Sequence, residues 1–292
     1  MLYSPYLRFP IDDRRRSGFL IPSVGNSDRT GFDLTIPYYW NIAPNMDATL
    51  IPRYMSTRGL MLGAEVRHLN RFQDVKLTGD VLPNDSAAPE LGTRWAWRIE
   101  QGGRFGKGWS SAIDASAVSD DQVLSDFGNR LDVTSSRNLR RRGDLAYRGP
   151  GLSFMGWLQD FQTIDPLLPE RSYPYAQLPH LEAEIRPWEQ NRLVDVSIEG
   201  RYDYFDHPVR VDGSRVVLVP SVSVPMRRSF GDLTPRARLF YTGYQLTDVE
   251  EGVDPHQSHL IPSLDVDGRL IFERDMSWFG SSALQTLEPR LY

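Results

Sequence analysis

The sequence predicts an all-β protein, an antiparallel meander that forms part of a large transmembrane β-barrel. Three observations lead to this prediction. Side-chain character alternates with a period of two, charges of both signs occupy the polar strand positions, and long connections alternate with short ones. A period of two places alternate side chains on opposite faces of a strand, and a watery lumen tolerates mid-strand charges that a packed core would not.

The alternation is clearest between Gly31 and Met55. A strand predicted over 33–42 has one apolar face, formed by Leu34, Ile36, Tyr38, Trp40 and Ile42. The segment 46–54 repeats the pattern after "APN", which predicts a tight hairpin turn. Polar positions alternate with apolar ones in the same way further along the chain, and the predicted strands there cover 18–24, 60–67, 94–100, 194–204 and 264–273.

Charged residues at the polar positions are predicted to face the lumen of the barrel. They are Asp47, Arg53, Glu65, Arg67, Glu182, Glu184 and Arg186. The pattern is weakest near Val75 and in "GLSFMGWLQDFQTI". No amphipathic helix longer than two turns is predicted, and no run of 18 apolar residues exists, which excludes a helical membrane span.

The lengths of the connections between strands predict how the barrel is oriented in the membrane. Long connections alternate with short ones, with the exception of "STR" at Ser56–Arg58. Because outer-membrane barrels have short periplasmic turns and long extracellular loops, this parity places the amino-terminal end on the periplasmic side. Aromatic residues next to the short turns are predicted to form an interfacial girdle; the alternative is that they pack in the core of a soluble sandwich. These residues are Tyr38, Tyr39, Trp40, Trp109 and Trp188.

Composition excludes several function classes. The net charge of −5 is spread along the chain in both signs, which argues against a nucleic-acid partner. The chain has no cysteine and therefore no disulfide or thiolate site. No Ser-His-Asp constellation, phosphate loop or metal motif is present, so we expect neither an enzyme nor a cofactor.

"MLYSPYLRFPIDDRRR" lacks the apolar core of a signal peptide, so either the protein is cytoplasmic or Met1 is not its true start.

Two prolines interrupt the first two predicted strands. Pro22 lies in "GFLIPSV" and Pro37 in "LTIPYYW". Proline donates no ladder hydrogen bond, so these positions predict a weakly paired seam where the first strand of a barrel meets the last. Pro52, Pro220 and Pro262 lie in similar contexts without an assigned role.

Four blocks of the sequence carry a family resemblance. "YSPYLRFPIDDRRRSGFLIPS", "PYYWNIAPNMDATLIPRYM", "LIFERDMSWF" and "QTLEPRLY" resemble the β-barrel domain of the LptD family of lipopolysaccharide-assembly outer-membrane proteins. The blocks run from the first residues of the chain to the last. The resemblance implies that 1–16 is a remnant of a periplasmic jelly roll and linker, and that 17–292 is roughly the first half of a barrel of about 26 strands.

The same resemblance implies a function and partners. Such a translocon in the Gram-negative outer membrane receives lipopolysaccharide from the periplasmic LptA bridge, through a jelly-roll domain missing from this sequence, and places it in the outer leaflet. The lipoprotein LptE plugs the barrel. Pro22 and Pro37 match the family's gate prolines, where the barrel seam opens sideways towards the membrane lipids.

The role of three arginines is undecided, and two other functions of the protein remain as alternatives. Arg14, Arg15 and Arg16 lie before the first strand, where they either contact lipid A phosphates or lipid headgroups or form a solvated linker. The first alternative to the translocon is a passive porin-like or substrate-specific outer-membrane channel. The second is a soluble all-β protein that binds or hydrolyses carbohydrate.

Overall fold

A computed structural model describes residues 15–128, 137–187, 193–249, 251–279 and 281–292. Within these residues the chain has 20 strands, and all of the pairings between them that the structure details are antiparallel. The strands are β1 (Gly18–Phe19), β2 (Ser23–Ser27), β3 (Gly31–Thr35), β4 (Tyr38–Ala43), β5 (Met46–Met55), β6 (Gly59–Leu69), β7 (Gln73–Leu82), β8 (Arg94–Phe105), β9 (Trp109–Val118), β10 (Asn138–Gly149), β11 (Leu152–Thr163), β12 (Ala176–Ile185), β13 (Asp195–Asp206), β14 (Asp212–Ser223), β15 (Met226–Arg228), β16 (Gly231–Thr247), β17 (His256–Leu270), β18 (Phe272–Trp278), β19 (Ser281–Leu287) and β20 (Arg290–Leu291). The prediction of an all-β antiparallel meander is confirmed.

Helical structure is confined to connections. The helix α1 (Val123–Phe127) follows β9, and single 3-10 turns occur at Pro89–Leu91 and Glu170–Ser172. None of the helices in the described part of the chain is long and apolar enough to cross a membrane. The predicted periplasmic remnant at 1–16 lies outside the described residues, except for Arg15 and Arg16.

The chain divides into two compact units. The first comprises Met1–Gly103, Ala112–Arg141 and Gln162–Leu167, and the second comprises Arg104–Ser111, Arg142–Phe161 and Leu168–Tyr292. In the first unit, β5, β6, β7 and β8 pair in chain order. In the second, β11 to β14 pair in chain order, β14 pairs with β16, and β16 pairs with β17 over fifteen residue pairs from Gly231 to Gln245.

The strands present one apolar and one polar face, as the alternation predicts. Directly opposed residues in an antiparallel pair share a face. Tyr54 opposes Leu60 and Leu50 opposes Ala64, and the side chains of Tyr54, Leu60 and Leu50 are 49%, 51% and 43% exposed. On the other face Asp47 opposes Arg67. We call these the apolar face and the polar face.

Three predicted strands are broken in the structure. The strand predicted over 18–24 stops at Phe19 and resumes at Ser23, and the one predicted over 33–42 is interrupted at Ile36–Pro37. Both breaks contain a proline, which supplies no ladder donor. The strand predicted over 264–273 ends at Leu270. The Ile271 N–H still donates to the Phe230 carbonyl at 2.8 Å, and β18, which begins at Phe272, pairs with β19 in a separate sheet.

The first unit buries two small apolar clusters. One consists of Met55, Met61 and Leu82. The other consists of Ala96, Val118, Val123, Leu139 and Ile164, and the α1 residue Phe127 packs against both clusters. Met61 opposes Arg53 and Leu82 opposes Arg94, so these buried residues belong to the polar face. That face is therefore not uniformly polar, because α1 folds over one end of it.

We predict that Gly31→Ala destabilises the turn between β2 and β3. Gly31 has φ +63°, and a Cβ there would collide with the side chain of Ser56, whose Oγ is held by the Phe32 N–H. The left-handed conformation alone costs about 1–2 kcal/mol for a residue with a Cβ. Thermal unfolding of the purified protein, followed by circular dichroism, should show a lower midpoint. Gly143→Ala is the control, because a Cβ added at Gly143 would meet no atom within 4 Å and the backbone φ there is ordinary; an equal shift in both variants would contradict the prediction.

Candidate functional site

At Pro37 and Pro52 in the first unit, a single backbone hydrogen bond takes the place of the usual pair. In an antiparallel ladder, a hydrogen-bonded residue pair exchanges two N–H to carbonyl bonds. The Leu20 N–H donates to the Pro37 carbonyl at 2.8 Å, and the Ile36 N–H donates to the Pro52 carbonyl at 3.1 Å. Proline has no N–H, so neither bond is returned. Each of these two positions thus keeps one of the two bonds that an ordinary residue would make.

Pro22 lies in the gap between β1 and β2, where no strand pairing is assigned. The side chains beside it are strongly exposed, with Phe19 at 77% and Ile21 at 91%. Phe19 makes an edge contact with the ring of Tyr38, with the ring centroids 5.1 Å apart. The first strand region is therefore apolar, exposed and weakly paired. Pro262 differs from these prolines, because it opposes Leu239 within an uninterrupted ladder between β16 and β17.

Asp47 is the centre of an ionic group at one end of the polar face. Its side chain is 5% exposed and pairs with Arg67 at 2.8 Å and with Arg15 at 3.1 Å. The Tyr39 hydroxyl also donates to Asp47, at 3.1 Å. The structure thus brings together Arg15, Asp47 and Arg67 from the predicted site residues. Tyr39 lies on the polar face with them, whereas its neighbours Tyr38 and Trp40 lie on the opposite face.

Arg53 links a strand to the helix α1. Its guanidinium binds the Asp33 carboxylate in β3 through Nε and Nη2, the latter at 2.6 Å, and Nη1 donates to the Phe127 carbonyl at 2.9 Å. The side chains of Arg53 and Asp33 are only 21% and 16% exposed. This pair therefore connects β3 to the segment that folds over the polar face.

The other predicted lumen residues form more exposed pairs. Lys76 lies 3.6 Å from Glu65 in the first unit. In the second unit Glu182 pairs with Arg201 at 3.3 Å, and Glu184 pairs with Arg186 at 2.6 Å. Exposed pairs of this kind contribute at most about 1 kcal/mol each. They keep the polar face hydrated and charged without fixing the fold.

A buried ionic cluster is the main feature that the sequence prediction missed. Arg94, the first residue of β8, is fully buried and binds three carboxylates. Its distances to Asp85, Asp120 and Asp126 are all 2.7 Å. Arg58 binds two of the same carboxylates, at 2.7 Å to Asp85 and 3.2 Å to Asp126. We call Arg58, Asp85, Arg94, Asp120 and Asp126 the loop-end cluster.

The loop-end cluster explains the short connection that departs from the length alternation. Arg58 closes "STR", and its partners lie in the longer connections 83–93 and 119–137. The short connection is thus held to its longer neighbours by charge. The sequence signal available was an acidic residue in each long connection, but these residues are separated from Arg94 by 9 to 32 positions, and no local pattern pairs them.

Hydrogen bonds keep two carboxylates of the cluster ionised. Burial raises the pKa of Asp85, but hydrogen bonds from Arg94, from the Ala87 N–H and from Arg58 outweigh it and hold this pKa below its usual value. Asp120 behaves in the same way: burial raises its pKa, and hydrogen bonds from Arg94 and from the Ser119 hydroxyl lower it further than burial raises it.

The helix α1 is fixed by this cluster and covers a cavity. The guanidinium carbons of Arg58 and Arg94 lie 5.3 and 4.8 Å from the centroid of the Phe127 ring, at cation–π distance. Arg29 donates to the Ser125 carbonyl of the same helix. Under α1 lies a cavity of about 300 Å³ lined by Ser23, Val24, Gly25, Asp33, Thr35, Ile51, Arg53, Met61, Asp80, Ala96, Val123, Leu124, Phe127 and Gly128.

The polar face of the second unit carries a separate buried group. His180 stacks on Trp157 with ring centroids 3.4 Å apart, and Arg142 lies over the same indole ring at 4.2 Å. His180 Nδ1 donates to Asp203 at 2.5 Å, and Arg215 donates to the other oxygen of Asp203 at 2.7 Å. The indole of Trp157 is thus already occupied by His180 and Arg142, so it offers no open platform for a ligand. No group of residues suited to a metal ion occurs within the described ranges.

The remaining predicted site residues are dispersed. Trp109 is 37% exposed, and its ring lies 5.0 Å from that of Tyr147 and 6.5 Å from that of Phe105. Trp188 and Arg14 fall outside the described residues, and Arg16 has an interaction partner. The predicted gate prolines lie in the first unit with the Asp47 group, while Trp109 lies in the second.

Comparison with known proteins gives two family matches. A family model described as LPS transport system D matches residues 92–292, and one described as LptD protein matches residues 1–78. The whole chain is 40% identical to LPS-assembly protein LptD of Nitrosococcus oceani and covers 40% of that protein. It is 39% identical to the LptD proteins of Nitrosospira multiformis and Alkalilimnicola ehrlichii, covering 32% and 39% of them. The chain thus spans well under half the length of these relatives.

Among solved structures, a bacterial polysaccharide outer membrane secretin aligns with 91% of this chain and 88% of its own. The sequence identity is 14% and the TM-score is 0.29, a likeness too low to bear on the fold.

We predict that Arg94→Met strongly destabilises the protein. The substitution leaves three carboxylates without their shared cation, and breaking a buried ionic group in this way costs about 3–5 kcal/mol. Arg94→Lys should be nearly as harmful, because one ammonium cannot reproduce the fork that binds Asp120 through two nitrogens. Arg140→Met is the matched control, since Arg140 is 49% exposed and pairs with Asp114. Denaturant unfolding measures the difference; equal losses for Arg94→Met and Arg140→Met would contradict the prediction.

We also predict a pH dependence carried by Asp85. Because its pKa is lowered in the folded protein, its contribution to stability is complete above the unfolded value of 3.8 and is lost as pH falls through the folded pKa. The difference in unfolding free energy between the native protein and Asp85→Asn should therefore be constant from pH 7 to about pH 4 and should shrink at lower pH. Asp28→Asn, at an exposed turn residue, should show no such trend. A difference that grew on acidification would refute this assignment.

Proposed function

Because the chain belongs to the LptD family of lipopolysaccharide-assembly proteins, we propose that it forms the first part of an outer-membrane barrel that delivers lipopolysaccharide to the outer leaflet. The apolar face then contacts lipid and the polar face lines the lumen. This proposal assigns 1–16 to the periplasmic side and 17–292 to the barrel. Proteins of this family assemble and transport lipopolysaccharide and are not enzymes.

The observation that carries the proposal is that the strands have one exposed apolar face and one charged face. Leu62 and Leu77 are 49% and 44% exposed. They oppose Pro52 and Val66, whose neighbours Arg53, Glu65 and Arg67 point to the other face and form ion pairs. In water, such a surface would drive association, whereas in a bilayer it is the surface that lipid requires. A soluble carbohydrate-binding or hydrolytic protein would bury these side chains.

We place a lateral gate at Pro22 and Pro37. Ladder hydrogen bonds are each worth roughly 1 kcal/mol net and are harder to replace where lipid offers no donors or acceptors. The unreturned bonds at Pro37 and Pro52, together with the break at Pro22, lower the number of bonds that must be broken for the strands to part. Lipid can then leave sideways while the sugar passes along the charged lumen.

The remaining assignments follow the same orientation. Tyr38, Trp40 and Trp109 form the interfacial girdle, from which Tyr39 is excluded because its hydroxyl binds Asp47. Arg15 and Arg16 stand at the periplasmic mouth, where they contact lipid A phosphates or headgroups, although Arg15 also pairs with Asp47. The partners are lipopolysaccharide, the plug lipoprotein LptE, the LptA bridge and outer-membrane lipids.

A passive porin-like channel is the alternative from the sequence, and the family relationship does not favour it. Along the strands that the structure describes, acidic and basic residues pair on the polar face, which does not favour a nucleic-acid partner.

We predict that Pro22→Ala combined with Pro37→Ala impairs lipopolysaccharide delivery. Alanine at position 37 restores the N–H that can return the bond from Leu20, and alanine at position 22 restores an N–H at the break between β1 and β2, so the strands part less readily. Exposure of lipopolysaccharide at the cell surface should fall, and sensitivity to large apolar antibiotics should rise, in cells that depend on this variant. Pro262→Ala, outside the seam, is the control and should behave like the native protein. Normal delivery by the double variant, with native folding verified by heat-modified electrophoretic mobility, would remove the gate from the proposal.

A further inference from the structure

We infer that the cavity under α1 binds one acyl chain of the lipopolysaccharide that passes the gate. The inference rests on the proposed function and adds to it a binding site on the polar face. The cavity has a volume of about 300 Å³, at the lower end of the range for ligand pockets. That size suits a single chain and excludes the several chains of a whole lipid.

The lining selects an apolar ligand. Ile51, Met61 and Ala96 form the floor on the strands, and Leu124 and Phe127 form the roof on α1. Met61 and Ala96 are each 5% exposed, so the floor is withdrawn from solvent although it belongs to the polar face. The apolar floor and roof hold ordered water poorly and favour hydrocarbon instead.

The charged residues on the wall are already engaged. Asp33 and Arg53 bind each other, and the remaining Arg53 nitrogen, Nη1, donates to the Phe127 carbonyl. Asp80 also has an interaction partner. A phosphate or sugar would have to displace these bonds, whereas an acyl chain leaves them intact. The chemistry of the wall therefore distinguishes the acyl part of the lipid from its head.

The cavity reaches the backbone of the strand next to the gate. Ser23, Val24 and Gly25 are consecutive residues of β2 and all line it, although successive side chains of a strand point to opposite faces. β2 pairs with β3 over five residue pairs, from Ser23 opposite Thr35 to Ser27 opposite Gly31. Val24 is 61% exposed. An acyl chain that passes the break at Pro22 thus meets the cavity at the first residues of β2.

The roof is fixed before any ligand arrives. Arg58 and Arg94 hold the Phe127 ring, Arg53 holds its carbonyl, and Arg29 holds Ser125. A cavity with a fixed roof binds without an ordering cost, which favours a preformed site over a gap that opens by chance.

The test places a photoreactive benzoylphenylalanine at Ile51 in the complete outer-membrane protein in living cells. After irradiation, a lipopolysaccharide adduct is expected at Ile51. It should be absent from the same reporter at Glu199, an exposed polar-face residue far from α1 in sequence. A reporter at Leu77 on the apolar face should capture phospholipid and lipopolysaccharide alike. No adduct at Ile51, or a phospholipid adduct alone, overturns the inference.

The second part of the test fills the cavity with a larger side chain. Leu124→Trp adds volume at the roof, and Ala96→Phe adds it at the floor in case the first variant does not fold. Either should reduce the adduct at Ile51 to the level of the Glu199 reporter, whereas Ala146→Phe on β10 should not. An undiminished adduct in a folded filled variant also overturns the inference. Surface lipopolysaccharide is measured in parallel: delivery without an Ile51 adduct rejects the acyl site alone, while absent delivery by the native protein rejects the proposed function.

Discussion

The arrangement of the first unit depends on a single buried cation. Arg94 must be neutralised where it stands, because a fully buried guanidinium without partners is far costlier than one bound to carboxylates. Its three partners come from two different connections, so satisfying Arg94 draws those connections together and positions α1. Arg58 adds a second cation to the same carboxylates, and the Phe127 ring lies against both. The floor and roof of the cavity follow from this electrostatic requirement.

The two faces of the sheet differ in how side-chain exposure and polarity vary along the strands. On the apolar face, large side chains such as Leu50, Leu60 and Leu62 are exposed. On the polar face, one end carries the solvated pairs around Asp47, and the end covered by α1 carries buried methionine and leucine. In the lumen that we propose, this division offers charge to a sugar and hydrocarbon to an acyl chain at different positions along the strands. An amphiphile with both parts requires such a division, since neither a dry core nor a water-filled pore accommodates the whole molecule.

The proposed gate and the cavity are connected through β3. Asp33 lies on this strand and binds Arg53, which also holds the carbonyl of Phe127. Pro37 follows β3 after one residue, Ile36, and leaves one bond to Leu20 unreturned. The ionic link and the unreturned bond thus lie at opposite ends of the same short stretch of chain.

The sequence by itself determined the faces of most strands, since a period of two follows from backbone geometry and is visible in most local windows. It also located Pro22 and Pro37 and anticipated weak pairing there, because a missing N–H is a property of the residue. Even where the pattern was weak, around Val75 and in β11, strands form, since their neighbours supply ladder partners. Only the tertiary structure decided where strands break at Pro37 and Ile271, that the Tyr39 hydroxyl binds Asp47, and that Arg94 collects Asp85, Asp120 and Asp126. Those outcomes depend on contacts between residues far apart in the chain, and no local periodicity records them.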